Sequence, residues 1–363
     1  MTTEIRNRHG LKMSRRRFLT SAAGMAAISS STPIFPSNAL AQAPRILRFS
    51  DHEPLGGMRT RFLKDVVFPA IERESGGRLK IEDHWNGEIA QAYDALGAVT
   101  QGATDIGTVV PEYTAKQLPL HQIFKSFIRG PAGKLQIDFL SRVYKEVPAF
   151  TAELNRNNLV PIFFGTGYPV AFFRNKSMAN LEELKGGKWR SASFWHLDYL
   201  KNAGAIPVTM HWGPEIPAAL RAGNLDGPMV NVDSGYMLDV HESAPHVLVS
   251  KELWLGHVYL LTMNKDVWTS LAQEDRDAIV RAASKSYEGL GEVMDRGFDA
   301  QLAELRTAGS TVRILGSAEV LKFAAATRYK DVQAAWAMEQ QKQGVSDATH
   351  AMEKVASILG DVM

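Results

Sequence analysis

The 363-residue sequence contains no cysteine. Disulfides, thiol catalysis and thiolate metal ligation are therefore excluded together. The chain must hold itself together by its core, and 45% hydrophobic residues at this length allow that. Long apolar runs are also missing, since no stretch reaches the ~20 predominantly apolar residues that span a bilayer. The common catalytic signatures are absent as well. There is no Gly-x-Ser-x-Gly elbow and no Walker sequence. Gly165-Thr166-Gly167 lacks the third glycine of a dinucleotide fingerprint and opens no helix, so no cofactor is expected. His241-Glu242 with His246 misses the spacing of a zinc helix by one residue, and Pro245 would break that helix, so no metal is expected.

What is present begins with an export signal. Ser14-Arg15-Arg16-Arg17-Phe18-Leu19-Thr20 precedes a modest apolar stretch and a small-x-small site at Ala39-Leu40-Ala41. The paired arginines followed by Phe-Leu resemble the twin-arginine class, which implies passage through the twin-arginine translocase as a folded protein. Residues 1–41 are read as a cleaved signal and the periplasm as the destination. A fold completed in the reducing cytoplasm has no need of disulfides. Thr20 to Ile34 is too short and too polar to serve as a membrane anchor.

Removing that segment changes the charge. Six of the 41 basic residues and one of the 39 acidic residues lie within it, leaving 35 basic against 38 acidic. A mildly acidic mature chain carries no electrostatic footprint for nucleic acid.

About 320 residues exceed the size at which one core stops growing, so two lobes are the default. Short apolar strands alternate with helical patterns, which predicts α/β units on mainly parallel sheets. Helices are expected over Met58–Glu74, Leu135–Leu154 and Ala318–Gln343, and a buried strand over His257–Asn264 that crosses between lobes. Glu274 to Ala308 shows sustained helical periodicity, long enough to span both lobes. No linker is visible, so the chain is expected to cross between lobes more than once. The expected lobes are residues 44–166 with 253–293, and residues 167–252 with 294–363.

Three segments then stand in order: Leu181-Glu182-Glu183-Leu184-Lys185-Gly186-Gly187-Lys188-Trp189-Arg190; Ala203-Gly204-Ala205-Ile206-Pro207 through Met210; and Glu215 through Ala219-Leu220, Gly223 and Asp226-Gly227. This order resembles the solute-binding proteins of tripartite ATP-independent periplasmic (TRAP) transporters. Ser75-Gly76-Gly77-Arg78, Asn86-Gly87, Gln101-Gly102 and Leu271 with Asp275 extend the likeness over nearly the whole mature chain. The resemblance implies a two-lobed α/β fold with a long helix spanning both lobes and an interdomain cleft. It also implies a small organic acid as ligand, TRAP permease membrane subunits as partners and no catalysis.

The resemblance and the chemistry meet at Arg190. Family members hold a carboxylate with the Arg at this position, and a planar guanidinium presents a fixed fork that matches two carboxylate oxygens. Where many acid binders carry a second Arg, counting back gives Val170. Trp212 stands near the family's aromatic position, and the spacing from Met210 to Glu215 is one residue longer than usual. The expected ligand site is Arg190, Trp212, Asn231, Glu215, Trp195, Tyr236 and His52. The aromatic content points to an aromatic or otherwise apolar monocarboxylate. Two other readings use the same shape: an exported enzyme with His52, His84 or His196 as base, and a receptor that presents its ligand to a sensor.

Overall fold

A computed structural model describes residues 43–210, 212–256 and 258–363. The export signal expected over residues 1–41 lies outside the described residues. Eleven strands form two sheets. The first sheet contains β1 (Arg45–Ser50), β2 (Leu79–His84), β3 (Ile106–Val109), β4 (Leu159–Thr166) and β10 (Val258–Asn264), in the order β2-β1-β3-β10-β4. The second contains β5 (Val170–Arg174), β6 (Lys188–Ser191), β7 (Ile206–Thr209), β8 (Gly227–Asn231), β9 (His246–Val249) and β11 (Thr311–Ile314), in the order β11-β9-β5-β8-β6-β7. This is the expected two-lobed α/β architecture.

The sheets are mixed rather than mainly parallel. β1 runs parallel to β2 and β3, but β10 lies antiparallel between β3 and β4. In the second sheet β5 is antiparallel to both β8 and β9. The reason is connectivity, because both antiparallel strands are the ones by which the chain enters a sheet from the other side. β10 is buried at all seven positions and sits inside the first sheet. It therefore does not cross between lobes as its sequence suggested.

The crossings are the two short segments that lead into β5 and β10. Residues 167–169 carry the chain from β4 to β5, and residues 250–256 lead it back from β9 toward β10. The two segments are tied to each other, with the Val170 amide donating to the Leu253 carbonyl at 3.2 Å. Gly256 makes the return possible. It has a φ of 56°, and a Cβ there would stand 1.7 Å from the Phe124 carbonyl oxygen.

A third connection is the long helix Gln273–Thr307, 35 residues and so about 50 Å at 1.5 Å per residue. It packs on helices Phe68–Glu74 and Gly133–Glu146, and further along on helix Val232–Met237 and β11. Its buried face, Ile279, Ala282, Ala283, Leu290, Met294, Phe298, Leu302 and Leu305, follows the expected period. Two other expected helices are each divided. Leu135–Leu154 becomes Gly133–Glu146 and Pro148–Arg156, because Pro148 has no amide to continue the first and suits the first turn of the second. Ala318–Gln343 becomes Ser317–Thr327 and Tyr329–Lys342, with Arg328 between them at a φ of 51°.

Two glycines of the long helix separate propensity from packing. A Cβ on Gly291 would meet the Lys134 backbone at 2.7–2.8 Å, whereas Gly289 has nothing within 4 Å. Replacing an exposed helical glycine by alanine gains up to about 1 kcal/mol. Forcing a methyl group against a backbone costs about 1–3 kcal/mol. Gly289→Ala should therefore raise the thermal midpoint and Gly291→Ala should lower it, as scanning calorimetry of both variants can show.

Candidate functional site

The carboxyl ends of β1, β3, β6 and β8 deliver their following residues to one cavity, the place where open α/β sheets take ligands. The cavity encloses about 400 Å³ of empty space, counting the part open to solvent. The second sheet supplies Arg190 and Ser191 from the end of β6, then Ala192, Ser193 and His196. It also supplies Met229, Val230 and Asn231 from β8, Ser234 from the helix after it, and Trp212. The first sheet supplies Glu53 after β1, Glu112 and Tyr113 after β3, Lys125 from the 3₁₀ stretch Leu120–Ser126, and Tyr259 from β10.

Arg190 is 3% exposed. Its Nε and Nη2 donate to the Met210 carbonyl at 3.0 and 2.8 Å, and its guanidinium lies 5.4 Å from the Trp212 ring centre. Trp189, wholly buried on the same strand, anchors the backbone that carries it. Burial pushes the Arg190 guanidinium below its ordinary value, and Tyr113, Glu112 and Tyr93 offset part of that. No carboxylate within 4.0 Å pairs with Arg190 among the described residues. The other buried cations differ. Lys125 is ion-paired with Glu112. Arg59 meets Asp51 at 2.5 and 3.1 Å and Glu53 at 2.7 Å, and lies 4.4 Å from the Tyr259 ring centre. Burial pushes the Asp51 carboxyl up, but Arg59 more than reverses this and leaves it below the carboxylate range.

The residues expected at the site fall into three groups. Arg190, Trp212 and Asn231 line the cavity. His52 stands behind a cavity wall, its ring 5.7 Å from the ring of Tyr113 and its Nδ1 3.6 Å from Asp51. Trp195, Tyr236 and Glu215 do not line the cavity. The Trp195 indole donates to the Gln122 carbonyl at 2.8 Å inside the core, Tyr236 stacks on His241 at 4.9 Å, and Glu215 is exposed at the start of helix Glu215–Arg221. Val170, at the position of the absent second Arg, is buried opposite Asn231 in the sheet.

The histidines considered as bases have other engagements. His84 lies on the surface between Glu82 and Glu88, which raise its pKa. His196 is buried beside Ser191, and burial holds its imidazole well below the ordinary value. Among the described residues, no group of three His, Asp or Glu side chains is placed to hold a metal.

Sequence reasoning passed over Glu53, Glu112, Tyr113, Lys125 and Ser193. One signal was available. Lys125 sits among the apolar residues Ile123, Phe124, Phe127 and Ile128, and a charge so placed needs a buried partner.

The family model for bacterial extracellular solute-binding proteins, family 7 (DctP), matches residues 67–334. The chain belongs to that family. A solute-binding protein of Albidiferax ferrireducens is 24% identical over 328 residues, covering 88% of this chain and 94% of the relative. Among solved structures, a TRAP solute-binding protein from Rhodoferax ferrireducens, holding copurified benzoate, superposes with a TM-score of 0.76. It is 21% identical and covers 88% of this chain and 98% of that one. A marine metagenome TRAP solute-binding protein specific for aromatic acids, with 3-hydroxybenzoate, gives 0.76 at 19% identity, covering 88% and 99%. At these identities the structural likeness establishes the fold. No described helix of this family 7 protein is long and apolar enough to cross a membrane.

Asp233, at the start of helix Val232–Met237, adds a pH dependence. Burial, with Glu53 nearby, pushes its carboxyl up to about 7, against partial relief from backbone amides and Arg59. The unfolded carboxyl titrates near ~4. The folded protein therefore holds the extra proton between about pH 4 and 7. Its stabilising effect is complete below that window and lost as pH rises through it, at up to about 1.4 kcal/mol per unit. Asp233→Asn should remove this slope. Thermal midpoints at pH 5 and 8 should show the variant gaining on the wild type at the higher pH.

Proposed function

We propose that the protein binds a small organic acid in this cavity and delivers it to a TRAP-type membrane permease from the periplasm. One observation carries the reading: Arg190 is a buried cation on the cavity wall with no carboxylate partner. A buried charge left in that state is costly, and an incoming carboxylate removes the cost while matching the guanidinium fork. The carbonyl of Met210 accepts from the edge formed by Nε and Nη2, and the Tyr113 side chain hydrogen-bonds the guanidinium as well, so an incoming carboxylate would meet Arg190 and Tyr113 together. Trp212, Tyr113 and Tyr259 supply flat apolar surface, which favours an aromatic or otherwise apolar acid. Family membership supports a carrier role. The benzoate and 3-hydroxybenzoate of the two structural neighbours are consistent with the ligand class.

The walls come from both sheets, so binding and closure are one event. A ligand that touches both walls favours the closed form through its differential contacts. Asn231, Trp212 and His52 act beside Arg190 in this reading. Trp195 supports the wall from the core, while Tyr236 and Glu215 become ligand contacts only if the second lobe rearranges.

The deciding experiment is ligand extraction. Native mass spectrometry of purified protein should find an organic acid, and Arg190→Ala should no longer retain it. Losing one partner of a buried charge pair costs about 2–5 kcal/mol. Calorimetry should therefore show roughly a 30-fold or greater loss of affinity for that acid. Arg190→Lys keeps the charge without the fork and should also bind measurably worse. Undiminished binding by Arg190→Ala would reject the site.

The route of export follows from the paired arginines. We propose the twin-arginine pathway, supported by the motif at Arg15-Arg16 followed by Phe18-Leu19. Changing both arginines to lysine should strand the precursor in the cytoplasm. Normal periplasmic accumulation on fractionation would count against that route.

A further inference from the structure

We infer that the acid taken by this site carries one carboxylate and, at its opposite end, a hydrogen-bond donor, and that the site rejects a second carboxylate. This rests on the organic-acid reading above and narrows it.

The two walls of the cavity carry opposite charge. On the side of the second sheet, Arg190 is a cation without a carboxylate partner. Beside it, Ser193 is 3% exposed and lines the cavity, and its Oγ has no hydrogen-bond partner among the described residues. A guanidinium and an unused hydroxyl together form a subsite for one carboxylate.

The wall from the first sheet has the reverse character. Arg59 is held between two carboxylates, Asp51 and Glu53, so this cluster keeps one negative charge in excess. Glu53 is the member that reaches the cavity. Glu112 also lines it, and its pairing with Lys125 leaves that pair neutral. No cation on this wall remains to receive an anion, since Arg59 and Lys125 are already committed to carboxylates.

A ligand spanning the cavity therefore meets a positive end and an electron-rich end. A hydroxyl or amino group donates to the carboxylate oxygens of Glu53 or Glu112. A second carboxylate faces like charge in a desolvated place, and such opposition is how binding sites exclude near-analogues. The aromatic rings between the two ends suit a flat spacer, and this makes meta-substituted benzoates fitting probes.

The test is titration calorimetry of the mature protein, freed of carried acid, with benzoate, 3-hydroxybenzoate, 3-aminobenzoate and isophthalate at neutral pH. The two donor-bearing acids should bind at least about tenfold more tightly than benzoate, a difference of about 1.4 kcal/mol. Isophthalate should bind at least about tenfold more weakly than benzoate. Glu53→Gln removes the excess charge and should narrow the gap between isophthalate and 3-hydroxybenzoate. Ser193→Ala should weaken all four and leave their order unchanged. Isophthalate binding as tightly as 3-hydroxybenzoate, or benzoate as tightly as both donor-bearing acids, would overturn the inference in the wild-type protein alone. Binding of none of the four would also overturn it. The organic-acid reading would then still be judged separately, by what Arg190→Ala fails to retain.

Discussion

The structure depends on one buried charge that has been oriented but not neutralised. A guanidinium in the interior is normally matched by a carboxylate, as Arg59 is by Asp51 and Glu53. Arg190 is held instead by a backbone carbonyl and an aromatic face. These contacts fix its direction while leaving most of its electrostatic demand unmet. Met210 can serve because it directly follows β7, the parallel neighbour of β6, so the acceptor is set by the sheet and not by a mobile side chain.

Everything around Arg190 reads as a way of bringing a second sheet to it. The strands whose carboxyl ends face the cavity are parallel within each sheet, and the antiparallel strands β5 and β10 are those that the chain enters after passing from the other sheet. The crossing segments are short and tied together at Val170 and Leu253. Gly256, pressed against the Phe124 carbonyl, lies next to the 3₁₀ stretch that presents Lys125. The connection between lobes thus packs directly against the segment that carries Lys125 to the charged wall of the cavity.

Much of this could be read from sequence where a single period or an ordered motif dominated. The long helix announced itself because its apolar stripe persists from Ile279 to Leu305, about seven turns, and the place of Arg190 on the cavity wall because it stands near the end of a strand inside an ordered pattern. The failures have physical causes. Pro148 divides a helix whose hydrophobic period continues across it, so periodicity alone ran the two halves together. Trp195 was taken as a ligand contact because aromatic residues serve both cores and clefts, and only its bond to the Gln122 carbonyl places it in the core. The first-sheet wall was invisible for a different reason. Glu53, Glu112 and Lys125 lie 72 residues apart at the extremes and belong to the connections after β1 and β3, with only short 3₁₀ turns around Glu112 and Lys125. Their meaning comes from the sheet order β1-β3, which no local pattern encodes.

The same low-polarity interior that strengthens Arg190 as an anion trap also constrains what surrounds it. Charges placed there must be paired, protonated or, in the proposed reading, waiting for a ligand, and all three solutions occur in or behind the walls of one cavity. Arg59 and Lys125 are paired, Asp233 is driven toward its neutral form, and Arg190 waits. In the proposed reading, a ligand-free closed state leaves the last of these uncompensated, whereas opening returns it to water. An acid that satisfies Arg190 therefore acts on the balance between the two forms in proportion to how much better it serves the closed one. Affinity alone would not achieve this, since a molecule held equally well by both forms shifts nothing. In the proposed reading, recognition of the carboxylate falls to one sheet and reading of its far end to the other. Only a ligand of the right length and polarity can engage both, and the selection of the ligand and the change of shape are then the same physical event.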